Sequence, residues 1–156
     1  MIKLVRIDHR LVHGQVAFSW TKFLDSDCIL IASDALMKDE LKMAAMKMAK
    51  PTGVKLVMKN MEDSIQALNS GVTDKYKLFI LVESVEDAYR LVNAVPMIQS
   101  INVGGMKAAD DRRQISKGVF VSSEDERMLK EMNDKGIELE VRLVPNDHKQ
   151  NAIDLL

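Results

Sequence analysis

Apolar residues along this chain arrive in short runs separated by amphipathic stretches. Runs at Ile2–Ile7, Cys28–Ala32, Val54–Met58, Lys77–Val82, Ser100–Val103, Gly118–Val121 and Ile137–Leu143 have the length and β-branched content of strands. Between most of them, apolar residues recur at helical spacing over Gln15–Leu24, Lys38–Ala49, Met61–Ser70, Val85–Val95 and Glu124–Lys135. Strands that alternate with helices of about 10–15 residues imply parallel βαβ units. Several runs are apolar throughout, as expected of strands covered on both faces. The expected fold is therefore α/β, with a mostly parallel central sheet of about seven strands and helices on both faces. Ile137–Leu143 alternates apolar and charged residues, so it is assigned to an edge with one wet face and an antiparallel partner. The tail Asn146–Leu156 reads as a short helix.

Local signals set the boundaries. Ser84-x-x-Asp87 and Ser123-x-x-Glu126 have the capping-box pattern, and Asn60 can cap the helix that starts at Met61. Gly71 and Gly136 can close helices, and Pro51-Thr52-Gly53 and Pro96 interrupt the chain. No linker or repeat divides the sequence, so residues 1–156 are expected to form one domain.

Composition narrows the function by exclusion. A net charge of −1 supplies no global field for nucleic acid or an anionic membrane. Cys28, the single cysteine, lies in an apolar run and reads as a core thiol. No spacing resembles a metal-ligand cluster, and neither metal nor cofactor is expected. No run approaches the ~20 apolar residues of a membrane span and no secretory signal precedes the first strand, so a cytoplasmic protein without direct membrane insertion is expected.

Candidate chemistry gathers where the first strand ends. His13 follows the strand and precedes a helix, the position at which open α/β sheets bind ligands. Gly14 allows a sharp turn there, and the first free N–H groups of a helix favour anions. Arg10, three residues back, can hold phosphate oxygens in a bidentate fork. Gly14 and Gln15 can supply backbone N–H groups to the same anion. Asp8 can cap loop N–H groups, orient the His13 loop or pair with Arg10. Trp20 reads as core, and His9 and His148 as solvated side chains. The charged segment Lys107–Arg113 reads as a solvated face that could form a docking rim. The eleven methionines, with Met43, Met46 and Met48 on one short helix, exceed what the core can take, and an exposed patch would suit a protein that meets several partners.

The string Val5-Arg6-Ile7-Asp8-His9-Arg10-Leu11-Val12-His13-Gly14-Gln15-Val16 closely resembles the active-site segment of IIB subunits of the sugar phosphotransferase system, mannose–fructose–sorbose family. The resemblance extends to the Pro51–Lys55 segment and to the order of strands and helices. It implies that His13 accepts a phosphoryl group, on Nδ1, from a phosphorylated IIA protein. The group then passes to the sugar carried by membrane IIC and IID subunits, which the chain joins peripherally. No metal is implied. It implies phosphate contact for Arg10, matches Asp34 to an Asp in the second strand–helix turn, and matches Gly104-Gly105 to a glycine-containing turn after the fifth strand. The expected site is thus His13 and Arg10 as catalytic residues, Asp8, Gly14, Gln15 and Asp34 around the phosphate, and Gly104 and Gly105 as neighbours. His9 departs from the family, which often carries a carboxylate or amide there. No IIA domain is expected ahead of Met1. Two other readings stand beside this one: an α/β hydrolase or isomerase using His13 as general base, and a non-catalytic module that captures a phosphorylated metabolite. No second acid–base residue or nucleophile is evident for the former.

Overall fold

Nine strands and five helices alternate in a computed structural model that describes residues 1–156. The strands are β1 (Ile2–Asp8), β2 (Cys28–Ala32), β3 (Lys55–Lys59), β4 (Leu78–Val82), β5 (Ser100–Gly105), β6 (Arg113–Ser116), β7 (Val119–Val121), β8 (Glu138–Val141) and β9 (Gln150–Asn151). The helices are α1 (Gly14–Leu24), α2 (Glu40–Ala49), α3 (Met61–Ser70), α4 (Val85–Ala94) and α5 (Ser123–Asp134). Seven strands form one sheet in the order β3-β2-β4-β1-β5-β8-β9, parallel except for β9. The α/β class, the parallel sheet and the antiparallel edge are as the sequence implies.

Side-chain alternation splits the core in two. Ile29, Ile31, Phe79 and Leu81 pack with Ala17 and Trp20 of α1 and Met46 of α2. Cys28, Leu30, Ile80 and Val82 point the other way, toward Met61 and Leu68 of α3 and the apolar faces of α4 and α5. Covering both faces explains why β2 and β4 are apolar at every position. No helix is long and apolar enough to cross a membrane.

Five assignments change, three in the strands and two at helix starts. Gly118–Val121 is extended, but as β7 it pairs antiparallel with β6 in a separate two-stranded sheet. Apolar content marks a strand without saying which sheet it joins. Ile137–Leu143 contains β8, which runs parallel to β5 and is not the edge. The edge is β9, drawn from the tail expected to be helical, in which only Ala152–Leu155 makes a 3₁₀ turn. Glu140 is buried in consequence, pointing at β5 rather than at water. The capping box of α5 uses Ser122 and Asp125, one residue ahead of the expected pair. Likewise α2 starts after Asp39, whose side chain caps Lys42 N–H at 3.0 Å, while Leu36–Lys38 forms a 3₁₀ turn.

Candidate functional site

Strand alternation aims Arg6 and Asp8 at the face covered by α1, while Val5 and Ile7 face the opposite core. Both charged side chains are buried. Neighbouring strands extend the polar row, since Asn102 is in register with Arg6 and Glu140 with Asn102. Arg6 Nη1 donates to Asn102 Oδ1 at 2.6 Å and to the Arg142 carbonyl at 3.1 Å. Asn102 Nδ2 donates to Glu140 Oε1 at 3.2 Å. Trp20 closes the row from α1, with the Arg6 and Arg142 guanidinium carbons 5.3 and 5.5 Å from its ring centroid. Its indole N–H donates to the Leu143 carbonyl at 3.0 Å. Buried charge is tolerable only when paired and hydrogen-bonded in this way.

Asp8 joins that row to the loop. Its Oδ2 accepts from Arg6 Nη2 at 3.1 Å and from His13 Nε2 at 2.9 Å. Its Oδ1 accepts from the Arg10 backbone N–H at 3.0 Å, with Arg10 Nε 3.6 Å away. Burial alone would raise the Asp8 carboxyl, but the hydrogen bonds from His13 and the Arg10 amide, with the Arg6 charge, hold it below the ordinary value. An ionised carboxylate can only accept. The His13 proton therefore sits on Nε2, and Nδ1 of the neutral ring keeps its lone pair.

The loop between β1 and α1 is anchored by apolar side chains. Leu11 and Val12 are each 1% exposed, and the Leu11 N–H donates to the Asp8 carbonyl at 2.9 Å. Leu11 takes φ 59°, a left-handed conformation costly for a bulky side chain and retained here by that anchoring. Gly14 follows His13 at φ 43° with open space where a Cβ would lie, so backbone conformation and not room selects glycine. His13 is the N-cap residue of α1 and makes no side-chain cap. The first N–H groups of α1, on Gly14, Gln15 and Val16, have no intrahelical acceptor. First turns of α3, α4 and α5 carry acidic residues, whereas that of α1 carries none and leaves its dipole free for an external anion. His13 is 20% exposed and the Arg10 side chain 48%. An imidazole nitrogen, a half-exposed guanidinium and a helix N-terminus thus converge on open solvent.

The other expected residues divide: Gly104 and Gly105 adjoin the cluster from β5, and Asp34 stands apart from it. Gly104 and Gly105 are buried at the end of β5 and form no turn. A Cβ on Gly104 would come within 2.0 Å of Arg6 Cζ, and one on Gly105 within 3.1 Å of Asp8 Oδ1. These glycines make room for the Arg6–Asp8 pair. Asp34 accepts from the Met61 N–H at 2.8 Å and from Arg90 at 3.1 Å, partners outside the His13 cluster. Both bonds lower its pKa, the backbone one most. His9 is partly buried rather than solvated, its N–H bound to the Gly105 carbonyl and its Nδ1 without a partner. His148 is exposed and Trp20 is core. No group of three or more His, Cys, Asp or Glu side chains could hold a metal ion. Arg6, Asn102, Glu140 and Arg142 were not singled out by sequence. For Arg6 and Asn102 the signal is a polar residue at an inward position of a mostly apolar strand, whereas Glu140 and Arg142 fall in a run of alternating charge that reads as a wet face.

Residues 2–156 match the family described as "PTS system sorbose subfamily IIB component". The chain is 32% identical to the fructose-specific EIIB component of Bacillus subtilis, over 99% of this chain and 95% of that protein. It is 35% identical to the mannose-specific EIIAB component of Escherichia coli, over its whole length but only 48% of that longer protein. The crystal structure of the IIBSor domain of the sorbose permease from Klebsiella pneumoniae superposes with a TM-score of 0.95 at 28% identity, covering 99% of this chain and 95% of that one.

Proposed function

The chain belongs to the sorbose subfamily of IIB components of the sugar phosphotransferase system, and we propose that within it His13 Nδ1 is the atom that carries the phosphoryl group. The observation that carries this reading is the 2.9 Å contact between His13 Nε2 and the ionised Asp8, which leaves Nδ1 as the free nucleophile. In the first step the Nδ1 lone pair attacks phosphorus on a phosphohistidine of a IIA protein. The new N–P bond forms as the donor N–P bond breaks, and the donor imidazole leaves. Phosphorylation makes the His13 ring cationic, because Nε2 keeps its proton, and Asp8 stabilises that charge. In the second step a sugar hydroxyl, held by the membrane IIC and IID subunits, attacks the same phosphorus. The His13 ring leaves as neutral imidazole, and the hydroxyl proton passes to solvent or to a base on the membrane subunits.

Phosphoryl transfer spreads charge over the equatorial oxygens, so fixed positive groups lower the barrier. Arg10 supplies the guanidinium, and the N–H groups of Gly14 and Gln15 supply the helix end. Asp8 acts on the imidazole and not on the phosphate, since its oxygens are occupied by Arg6, His13 and the Arg10 amide. An exposed loop suits a carrier that presents one face to two partners in turn and works at the cytoplasmic side of the membrane complex.

Intact-mass analysis under acid-free conditions tests the assignment, with the purified chain mixed with a phosphorylated IIA protein. A gain of one phosphoryl group is expected, abolished by His13→Ala and retained in His9→Ala. Acceptance by His13→Ala would overturn it.

A further inference from the structure

Helix α2 is apolar on two opposite sides. Met43, Met46 and Ala49 pack toward the sheet. On the other side Leu41, Ala44, Ala45 and Met48 follow the i, i+3, i+4, i+7 spacing of a helix contact stripe, and all four are exposed. Leu41 is 84% and Met48 89% exposed, the two largest values among the large exposed hydrophobic residues. A helix apolar on both sides belongs between two layers, yet only one layer is supplied by this chain.

The stripe is self-complementary. A two-fold axis through the midpoint between Ala44 and Ala45, perpendicular to the helix, sets Leu41 level with the second copy's Met48 and Ala44 level with its Ala45. Large residues then flank a central pair of small ones that lets the two helices approach closely. Isologous contacts have this property, residue i meeting j while j meets i. Charges obey the same symmetry. Glu40 and Lys47 lie on one flank of the stripe, and in an antiparallel pair that flank meets its own copy, bringing Glu40 toward the second copy's Lys47 and the reverse. Neither residue forms an ion pair within the chain, whereas Lys42 on the inner side is taken up by Glu83 at 3.6 Å.

We propose that the outer face of α2 is a homodimer interface in which two copies of this chain pair antiparallel through Leu41, Ala44, Ala45 and Met48, with Glu40–Lys47 pairs across the rim. The inference does not depend on the phosphoryl-carrier reading. α2 presents this face away from the sheet, since Met43, Met46 and Ala49 occupy its inner side. A ten-residue helix is about 15 Å long, which puts the contact in the small, transient class below roughly 1,200 Å².

Sedimentation equilibrium from about 5 to about 500 µM, the range in which contacts of that class dissociate, tests it directly. The wild-type mass is expected to rise from the 17.6 kDa monomer toward twice that value. Met48→Lys, at a solvent-exposed position, is expected to remain monomeric with unchanged circular dichroism and unchanged phosphorylation by a IIA protein. Glu40→Lys should weaken the dimer at least tenfold, and Glu40→Lys/Lys47→Glu should restore it. A wild-type chain monomeric throughout, or a dimer that Met48→Lys leaves intact, overturns the proposal. So does a monomer whose Met48→Lys variant loses phosphorylation, which would assign the face to the IIA partner.

Discussion

Asp8 holds a buried cation, an imidazole and a loop amide with two oxygens, so its substitution separates positioning from catalysis. Asp8→Asn places an amide where Arg6, His13 and the Arg10 N–H all donate, and removes the carboxylate hydrogen-bonded to buried Arg6, leaving only the more distant Glu140 to offset its charge. Breaking a buried pair in this way costs about 3–5 kcal/mol. Chemical denaturation is expected to show a loss of that order, together with much slower phosphorylation. Arg10→Lys should leave stability within about 0.5 kcal/mol, as for other surface changes, and slow transfer alone through loss of the planar fork. Unfolding and phosphorylation assays on both variants check the split. At this scale the candidate loop was legible because Arg10, His13, Gly14 and Gln15 fall within six consecutive residues. Its support was not, because Arg6 meets Asn102 and the Arg142 carbonyl across 96 and 136 positions of sequence.

At the scale of elements, the end of β5 shows why a motif can be found and misread. A Gly-Gly pair beyond an apolar run signals close approach of backbone to something. What approaches here is the Arg6–Asp8 pair of the adjacent strand, and only register reveals it, since Asp8 stands opposite Gly105. The two glycines therefore differ in their expected tolerance. Gly104→Ala drives a Cβ into a guanidinium held by Asn102, the Arg142 carbonyl and Asp8. A loss of about 1–3 kcal/mol is expected, as for other overpacked interiors, with slower phosphorylation as Asp8 shifts. Gly105→Ala meets Asp8 Oδ1 only at 3.1 Å and should cost less. Thermal melts of the two variants check the order. Helix caps carried a similar ambiguity. Ser122-Ser123 offers two N-cap candidates spaced alike from acidic residues, and the burial of Asp125 selects the first.

For the whole molecule, alternation of strands and helices was enough to give the parallel sheet, while the edge was decided by tail residues too few and too polar to read as a strand. The parallel sheet also collects carboxylates at its carboxyl edge, Asp8 at the end of β1, Asp34 after β2, and Glu83 and Asp87 after β4. Two of them give opposite pH dependences. Asp8, held below its ordinary value, contributes stability that is complete above the unfolded carboxyl pKa of about 4 and is lost as the pH falls through its lower folded value. Asp87 is pushed up to about 6, first by burial and then by Glu83. Its ionisation is harder in the folded chain than in the unfolded one, so stability declines as the pH rises from about 4 to about 6 and stays reduced above. Asp87→Asn removes that penalty. The variant is expected to be about 2 kcal/mol more stable than wild type at pH 8 and equal to it near pH 4. Denaturation curves of both proteins at the two pH values check this. An equal gain at both would mean that the substitution acts through packing or the cap of α4, and not through the charge that Glu83 opposes.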